Sequence, residues 1–449
     1  MGKLFGTDGI RGIANAGLDS DLAYRVGLAV ATVLQKTNKR PTVAIGKDTR
    51  ISGDLLKGSL IAGLCTAGAD VLDLGTISTP AVAKMTINQK ATAGIVISAS
   101  HNPFEHNGIK IFNDKGFKLS DKLEEKVEEI VLLGYNNIER RTHSNIGKVT
   151  YLAPRAVENY VDYLCTTVNH TLEGLRILVD CGNGASYTTA ALLFERFPKL
   201  HADIINIDPD GVNINQNCGS THVEELSAMI VAGHYDLGIA FDGDADRCLL
   251  LDEKGSLIDG DQMLALYGLS LKNQNKLPQD TIVGTVMSNL GLHVFAKEHG
   301  LLLKCTDVGD RNVLELMEEE GLAMGAEQSG HVIFREYATT GDGQLTALQM
   351  LALLKESGKK ASELFGACPK YPQVLQNIPV TDKDKKQEIM ESAKLAKGIT
   401  EIEEILGDSG RVLVRPSGTE ALIRVMVEAK TQEQAEASAK KLIDLVRKL

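Results

Sequence analysis

Arg176-Ile177-Leu178-Val179 runs straight into Asp180-Cys181-Gly182-Asn183-Gly184, and from Ala185 to Glu195 apolar residues recur at helical spacing. An aliphatic run, a polar glycine turn and an amphipathic stretch, in that order, describe a strand that feeds a helix through a loop. The same punctuation stands at Thr42-Val43-Ala44-Ile45 before Gly46-Lys47-Asp48, with a helical pattern from Leu55 to Ala69. It recurs at Thr281-Ile282-Val283 before Gly284-Thr285-Val286-Met287-Ser288-Asn289. Three such passages predict three similar α/β units, each exposing backbone N–H groups where its strand ends.

Around these units the bulk properties set limits. At roughly 100–200 residues per domain, a chain of 449 residues holds three or four domains. Hydrophobic residues at 43% and charged residues at 24% are the composition of a globular chain rather than a disordered one. No apolar run approaches the ~18 residues of a membrane span, and Met1-Gly2-Lys3-Leu4-Phe5-Gly6 lacks the apolar stretch of a secretion signal, so a cytoplasmic protein with no membrane contact is expected. The seven cysteines are scattered and form no C-x-x-C, which argues for reduced, mostly buried thiols. A net charge of −11 argues against nucleic acid as a partner, so any phosphate site must gather its cations locally.

Turn-rich residues 139–148 and 253–261 read as joints. Pro369, Pro372 and Pro379 mark 368–380 as a linker to a last domain of about eighty residues. That domain ends in a helix with Ala435, Ala439, Leu442, Leu445, Val446 and Leu449 on one stripe, which reads as core packing. The expected domains are therefore 1–150, 151–255, 256–368 and 369–449.

Polar chemistry concentrates in five loops. In Ile95-Val96-Ile97-Ser98-Ala99-Ser100-His101-Asn102-Pro103 an apolar strand meets hydroxyls. Taken alone this is as compatible with a strand-end turn as with catalysis, and no G-x-S-x-G elbow supports a hydrolase serine. Phe241-Asp242-Gly243-Asp244-Ala245-Asp246-Arg247 sets three carboxylates at alternate positions between apolar runs. Like charges so close raise one another's pKa unless a cation neutralises them, and hard oxygen ligands suit Mg²⁺. An EF-hand fails, because Arg247 stands where that loop needs glycine and the flanks read as strands. Three carboxylates leave Mg²⁺ an open position for a phosphate oxygen.

Arg415-Pro416-Ser417-Gly418-Thr419-Glu420, with Arg424 beyond it, offers a guanidinium, two hydroxyls and a glycine-opened backbone, the parts of a phosphate cradle. A plain hairpin turn is the alternative. Ala326-Glu327-Gln328-Ser329-Gly330-His331 supplies carboxylate and hydroxyl groups suited to sugar hydroxyls, and Phe5-Gly6-Thr7-Asp8-Gly9-Ile10-Arg11-Gly12 is similarly polar; each is weak by itself. No G-x-x-x-x-G-K-[ST] and no complete G-x-G-x-x-G occurs, which makes ATP or a dinucleotide a poor choice of donor. A donor carried on the protein becomes attractive, and Ser100 is the hydroxyl best placed for it.

The serine, aspartate, sugar and terminal phosphate loops, in this order, resemble those of the α-D-phosphohexomutase family, over essentially the whole chain from Gly6-Thr7-Asp8-Gly9 to Arg424. Within that family the loops are most similar to those of bacterial members acting on glucosamine phosphates; Ala421 departs from a usual proline. The resemblance implies three similar mixed α/β domains plus a smaller α+β C-terminal domain, heart-shaped around a central cleft. It implies an isomerase that interconverts glucosamine 6-phosphate and glucosamine 1-phosphate through phosphorylated Ser100 and a sugar 1,6-bisphosphate, feeding UDP-N-acetylglucosamine and cell-wall precursors. One Mg²⁺ on Ser100, Asp242, Asp244 and Asp246 is implied, with Arg11, His101, Lys110 and Arg247 as catalytic neighbours. Glu327, Ser329, His331, Arg415, Ser417, Gly418, Thr419 and Arg424 would bind substrate, and a homodimer is suggested. A mutase for glucose or mannose phosphates, a non-catalytic phosphosugar sensor and a metal phosphatase are the rival readings.

Overall fold

A computed structural model describes residues 4–6, 8–35, 40–169, 171–380, 382–416 and 422–449. They fall into two compact units, Met1–Val286 with Leu302–Ala367, and Met287–Leu301 with Cys368–Leu449.

The first unit carries three sheets. Strands β1 (Phe5–Gly6), β2 (Gly9–Ile13), β3 (Thr42–Lys47), β4 (Asp70–Thr76), β5 (Ala93–Ile97), β6 (His106–Asn113) and β7 (Val149–Tyr151) lie in the order β1-β2-β6-β5-β3-β4-β7. β8 (Arg176–Asp180), β9 (His201–Ile205), β10 (Leu237–Phe241), β11 (Cys248–Asp252) and β12 (Leu257–Ile258) lie in the order β12-β11-β10-β8-β9. β13 (Thr281–Thr285), β14 (Leu302–Thr306), β15 (Met324–Ala326) and β16 (Val332–Phe334) lie in the order β14-β13-β15-β16. One scheme repeats: a central strand has parallel partners on both sides, and the second of these partners turns back into an antiparallel neighbour. β3, β8 and β13 are the central strands, and β5–β6, β10–β11 and β15–β16 are the hairpins. The three similar mixed α/β domains expected from the sequence are present.

Burial explains why these strands were legible. Every residue of β5, β10 and β13 is buried, as continuous apolar strands covered on both faces must be. Close packing also dictates small residues. Helices Ser20–Leu34 and Gly53–Ala67 pack through Gly27 and Gly63, where a Cβ would stand 2.4 Å from the Leu60 carbonyl oxygen and 2.2 Å from that of Tyr24.

Local chemistry modifies three expectations. The helix expected over Ala185 to Glu195 divides into a 3₁₀ turn, Ala185–Thr188, and an α-helix, Ala190–Glu195. Ser186-Tyr187-Thr188-Thr189 is a poor helical run, and the Thr189 hydroxyl donates to the Ser186 carbonyl at 3.1 Å, competing with the regular ladder. The turn at 253–256 joins β11 to β12, so the second sheet extends to Ile258. The linker expected at 368–380 contains strand β17 (Gln373–Pro379), which pairs only at one edge of a fourth sheet, with Pro372 and Pro379 at its two ends, where proline is tolerated.

That sheet, with β18 (Arg411–Pro416) and β19 (Leu422–Glu428) in the order β17-β19-β18, is the smaller C-terminal domain. Helix Gln432–Lys448 covers it with buried Ala435, Ala439, Leu442 and Val446. The helix following β13, Leu290–Glu298, belongs to this second unit: Asn289 donates to Glu428 and to the Tyr371 carbonyl, both at 3.0 Å. Of the seven free cysteines, four are buried.

In the first unit Asp342 caps helix Gly343–Ser357, accepting from Leu345 N at 3.0 Å and from the Tyr160 hydroxyl at 2.7 Å. Burial pushes its carboxyl up to about 6, against the opposing bonds from Leu345 and Tyr160 and the charge of Lys84. A carboxyl whose folded pKa is raised binds more protons folded than unfolded, so its contribution is best below about pH 4 and declines as pH rises through about 6, by ~3 kcal/mol in all. Asp342→Asn keeps the acceptor for Leu345 and should flatten that part of the pH dependence of the melting temperature. Parallel profiles for variant and wild type would refute it.

Candidate active site

Strand β5 delivers the serine loop. Ser100 has φ 54°, a left-handed conformation that costs a non-glycine residue energy. Its side chain is buried and donates from Oγ to Asp242 Oδ2 at 2.5 Å. His101 Nδ1 stands 3.4 Å from Ser100 Oγ. Burial, then the charges of Arg247 and Arg11, push His101 down to about 4, so its ring is neutral at neutral pH.

The aspartates occupy the turn of the β10–β11 hairpin, between strands buried throughout, where an EF-hand would have helices. Asp242 and Asp244 are 0% exposed and Asp246 6%, and one oxygen from each lies within 4.8 Å of the others. Burial, then repulsion by Asp246 and Asp244, pushes Asp242 well above the usual carboxylate range. Gly243 lets this turn touch the serine loop, since a Cβ there would stand 2.6 Å from the Ser100 carbonyl oxygen.

Strand β6 sets Lys110 opposite Val96 of β5. Its Nζ donates to Asp244 Oδ2 at 3.0 Å and Asp246 Oδ2 at 3.4 Å and pairs with Asp8 at 3.1 Å. Burial alone would lower Lys110, yet Asp244, Asp8 and Asp246 hold it well above its ordinary value. Thr79 Oγ1 donates to Asp244 Oδ2 at 2.6 Å. Among the described residues the other oxygens, Asp244 Oδ1 and Asp246 Oδ1, have no hydrogen-bond partner, and His331 Nδ1 stands 3.7 Å from the latter. Three buried carboxylates beside a serine hydroxyl, two of them with an unused oxygen, are a fitting donor set for a hard divalent cation.

Arg11 forms an ion pair with Asp8. Asp8 also pairs with Lys118 at 2.7 Å, and Lys118 with Asp310 at 2.7 Å. Arg247 donates its backbone N–H to Asp242 Oδ1 at 3.2 Å. Sequence reasoning did not single out Thr79, Lys118 or Asp310. Lys118 lies 110 residues from Asp8 and 192 from Asp310, and no local pattern announces pairs at that separation.

Residues 327–331 form the turn of the third hairpin, β15–β16. Glu327 Oε1 accepts from Gly309 N at 3.1 Å, and the buried Ser329 Oγ has no hydrogen-bond partner among the described residues. His331 is 3% exposed, and its Nε2 accepts from Gly341 N at 2.9 Å, which assigns the ring proton to Nδ1, facing Asp246. Burial would lower its pKa, but Asp246, Asp310 and Glu327 raise it. Ser100, His101, Lys110, Arg11, Arg247, the three aspartates and His331 thus form one cluster in the first unit, linked directly or through Asp8, with Glu327 and Ser329 in the adjoining turn.

Arg415 and Arg424 belong to the second unit, where β18 and β19 set them directly opposite each other. Cross-strand partners of like charge repel, an arrangement that an anion relieves. Ser417, Gly418 and Thr419 lie outside the described residues.

Family models described as phosphoglucomutase/phosphomannomutase alpha/beta/alpha domains I, II and III match residues 2–136, 158–255 and 259–371, and the model of the C-terminal domain matches 375–445. The chain belongs to the phosphoglucomutase/phosphomannomutase family. Among its relatives, the phosphoglucosamine mutase of Acetivibrio thermocellus is 50% identical over 450 residues, 99% of each chain. That of Clostridium novyi is 50% identical over 451 residues, again 99% of each. A crystal structure of a phosphoglucomutase/phosphomannomutase family protein from Burkholderia thailandensis shares the fold with a TM-score of 0.83 at 24% identity, covering 99% of this chain and 97% of that one.

Proposed function

We propose that this chain is a phosphoglucosamine mutase, interconverting glucosamine 6-phosphate and glucosamine 1-phosphate. The observation that carries the reaction type is the buried Ser100 Oγ, 2.5 Å from Asp242 inside a cluster of three carboxylates. Half-identity over the full length to phosphoglucosamine mutases supports the sugar.

In this reading phosphorylated Ser100 gives its phosphoryl group to the free hydroxyl of the sugar phosphate. The resulting 1,6-bisphosphate turns round and returns its other phosphoryl group to Ser100. Asp242, Asp244 and Asp246 would hold Mg²⁺ against the phosphoserine, and the cation supplies neutralisation of the charge that develops in transfer. Lys110, buried on the strand beside the serine loop, is our proton-transfer group, and Arg11 and Arg247 add positive charge around the phosphoryl group. Glu327, Ser329 and His331 would read sugar hydroxyls; the orphaned Ser329 Oγ supports this, since a buried hydroxyl without a partner is costly. Arg415, Ser417, Gly418, Thr419 and Arg424 would bind the phosphate that is not reacting.

We further assign domains 1–150, 151–255, 256–368 and 369–449, with β12 completing the sheet of the second and the segment Met287–Leu301 grouping with the fourth, a cytoplasmic location and a homodimer. Among the described residues no helix is long and apolar enough to cross a membrane. Turnover of glucosamine 1-phosphate measured against mannose 1-phosphate and glucose 1-phosphate tests the substrate. We expect kcat/KM to favour the amino sugar by at least about 100-fold, as one well-read polar group can provide. A preference for mannose or glucose would move the chain to the other branch of its family, and no turnover of any would favour a sensor.

A further inference from the structure

We propose that Arg50 and Asn215 clamp the carbonyl group of Ser100 from two sides, fixing the left-handed serine so that its Oγ points at Asp242, and that they thereby set the rate of phosphoryl transfer without touching substrate. This rests on Ser100 being the phosphoryl carrier.

The Arg50 side chain is 0% exposed, an extreme burial for a guanidinium. It spends its whole fork on the serine loop and its support. Nη2 donates to the carbonyl oxygens of Ser100 and Asn102, each at 2.8 Å, Nη1 donates to that of Pro103 at 2.5 Å, and Nε donates to Asp48 Oδ2 at 2.8 Å. Asp48 Oδ2 also accepts from the Ser98 hydroxyl at 2.6 Å, and that hydroxyl accepts from the Ser100 N–H at 2.9 Å. From the other side, in the loop following β9, Asn215 Nδ2 donates to the Ser100 carbonyl at 3.0 Å. Both polar groups of the Ser100 main chain are therefore held by side chains, and its carbonyl carries two donors.

Filling volume does not require such an arrangement. An apolar side chain would do that at lower desolvation cost, so what the guanidinium adds is direction. Direction is what a residue at φ 54° needs. If the carbonyl is released, the backbone can relax toward a commoner conformation, carrying Oγ away from Asp242, and a displacement of about 1 Å in a reacting atom costs on the order of 100-fold in rate. Arg50 and Asn215 are accordingly positioning residues.

Three full-length variants test the clamp. Arg50→Lys keeps the charge facing Asp48 but loses the fork; Asn215→Ala and Ser98→Ala remove one donor and one hydroxyl, and carry the test if the lysine variant does not fold. Ser100→Ala serves as reference. The readouts are kcat and KM for glucosamine 6-phosphate, phosphate on the Ser100 peptide after incubation with glucosamine 1,6-bisphosphate, and circular dichroism for the fold. The clamp predicts kcat lower by about 10- to 100-fold in Arg50→Lys and by about tenfold in Asn215→Ala, with KM within about threefold of wild type. Folded variants with wild-type kcat, or a loss confined to KM, overturn it while an inactive Ser100→Ala leaves the carrier reading standing. Turnover retained by Ser100→Ala overturns both.

Discussion

Ser100→Ala is expected to leave a folded protein whose mutase turnover is lower by about four orders of magnitude or more, the scale on which removing an enzyme's covalent carrier acts. The substitution deletes one oxygen and little else. Ser100 holds its place through its N–H and carbonyl group, bonded to Ser98, Arg50 and Asn215, and alanine keeps both. Left-handed backbone is no harder for alanine than for most residues, so the variant inherits the strain rather than adding to it. Asp242 loses a donor at 2.5 Å, worth ~1–3 kcal/mol at a buried site, which a chain of this size tolerates. Steady-state assays with both glucosamine phosphates, together with peptide mass spectrometry for phosphate at position 100, read the outcome. Turnover near the wild-type level would remove Ser100 from the reaction.

Asp244→Asn should weaken Mg²⁺ binding by about 100-fold or more, since even partners of metal ligands commonly cost 10–100-fold. The amide has no good orientation here. Thr79 and Lys110 both donate to Asp244 Oδ2, at 2.6 and 3.0 Å, and the unpartnered Oδ1 is the atom left for a cation. An Asn places its NH₂ either against those two donors or toward the metal, and both choices are repulsive. Calorimetric titration with Mg²⁺ gives the affinity independently of turnover. Activity should fall with it and recover partly at high Mg²⁺. Wild-type affinity in the variant would mean that the cation, if any, is held elsewhere.

Much of the fold was legible because β5 and β10 are continuous apolar runs and β13 is a short β-branched one, a signal that survives without any knowledge of neighbours. The aspartate loop was legible for a related reason: alternate carboxylates between two such runs have few uses other than a cation. The prolines of 368–380 misled, because a proline cluster reads alike in a linker and at the two ends of an edge strand such as β17. The helix after β13 belongs to the second unit, which no local pattern shows, since that depends on Asn289 meeting Glu428, 139 residues away. In the candidate site, the aspartates declare themselves by type and spacing, whereas Thr79, Lys118 and Asp310 act through partners that only folding brings near. Arg50 is the sharpest case. Its sequence context, Asp48-Thr49-Arg50, is an ordinary polar turn, and its meaning lies in three carbonyl groups some fifty residues on.

The chain passes between its two compact units three times, entering the second at Met287, leaving it after Leu301 and returning at Cys368. The C-terminal domain is therefore not a cassette. A chain cut after residue 367 would retain the helix Leu290–Glu298, yet it would take from Asn289 both Tyr371 and Glu428. A graft of 368–449 onto another scaffold would arrive without that same helix. Recombination can exchange this domain cleanly only by moving two separate stretches of gene together, which ties the inheritance of the terminal arginines to that of a segment embedded in the third domain.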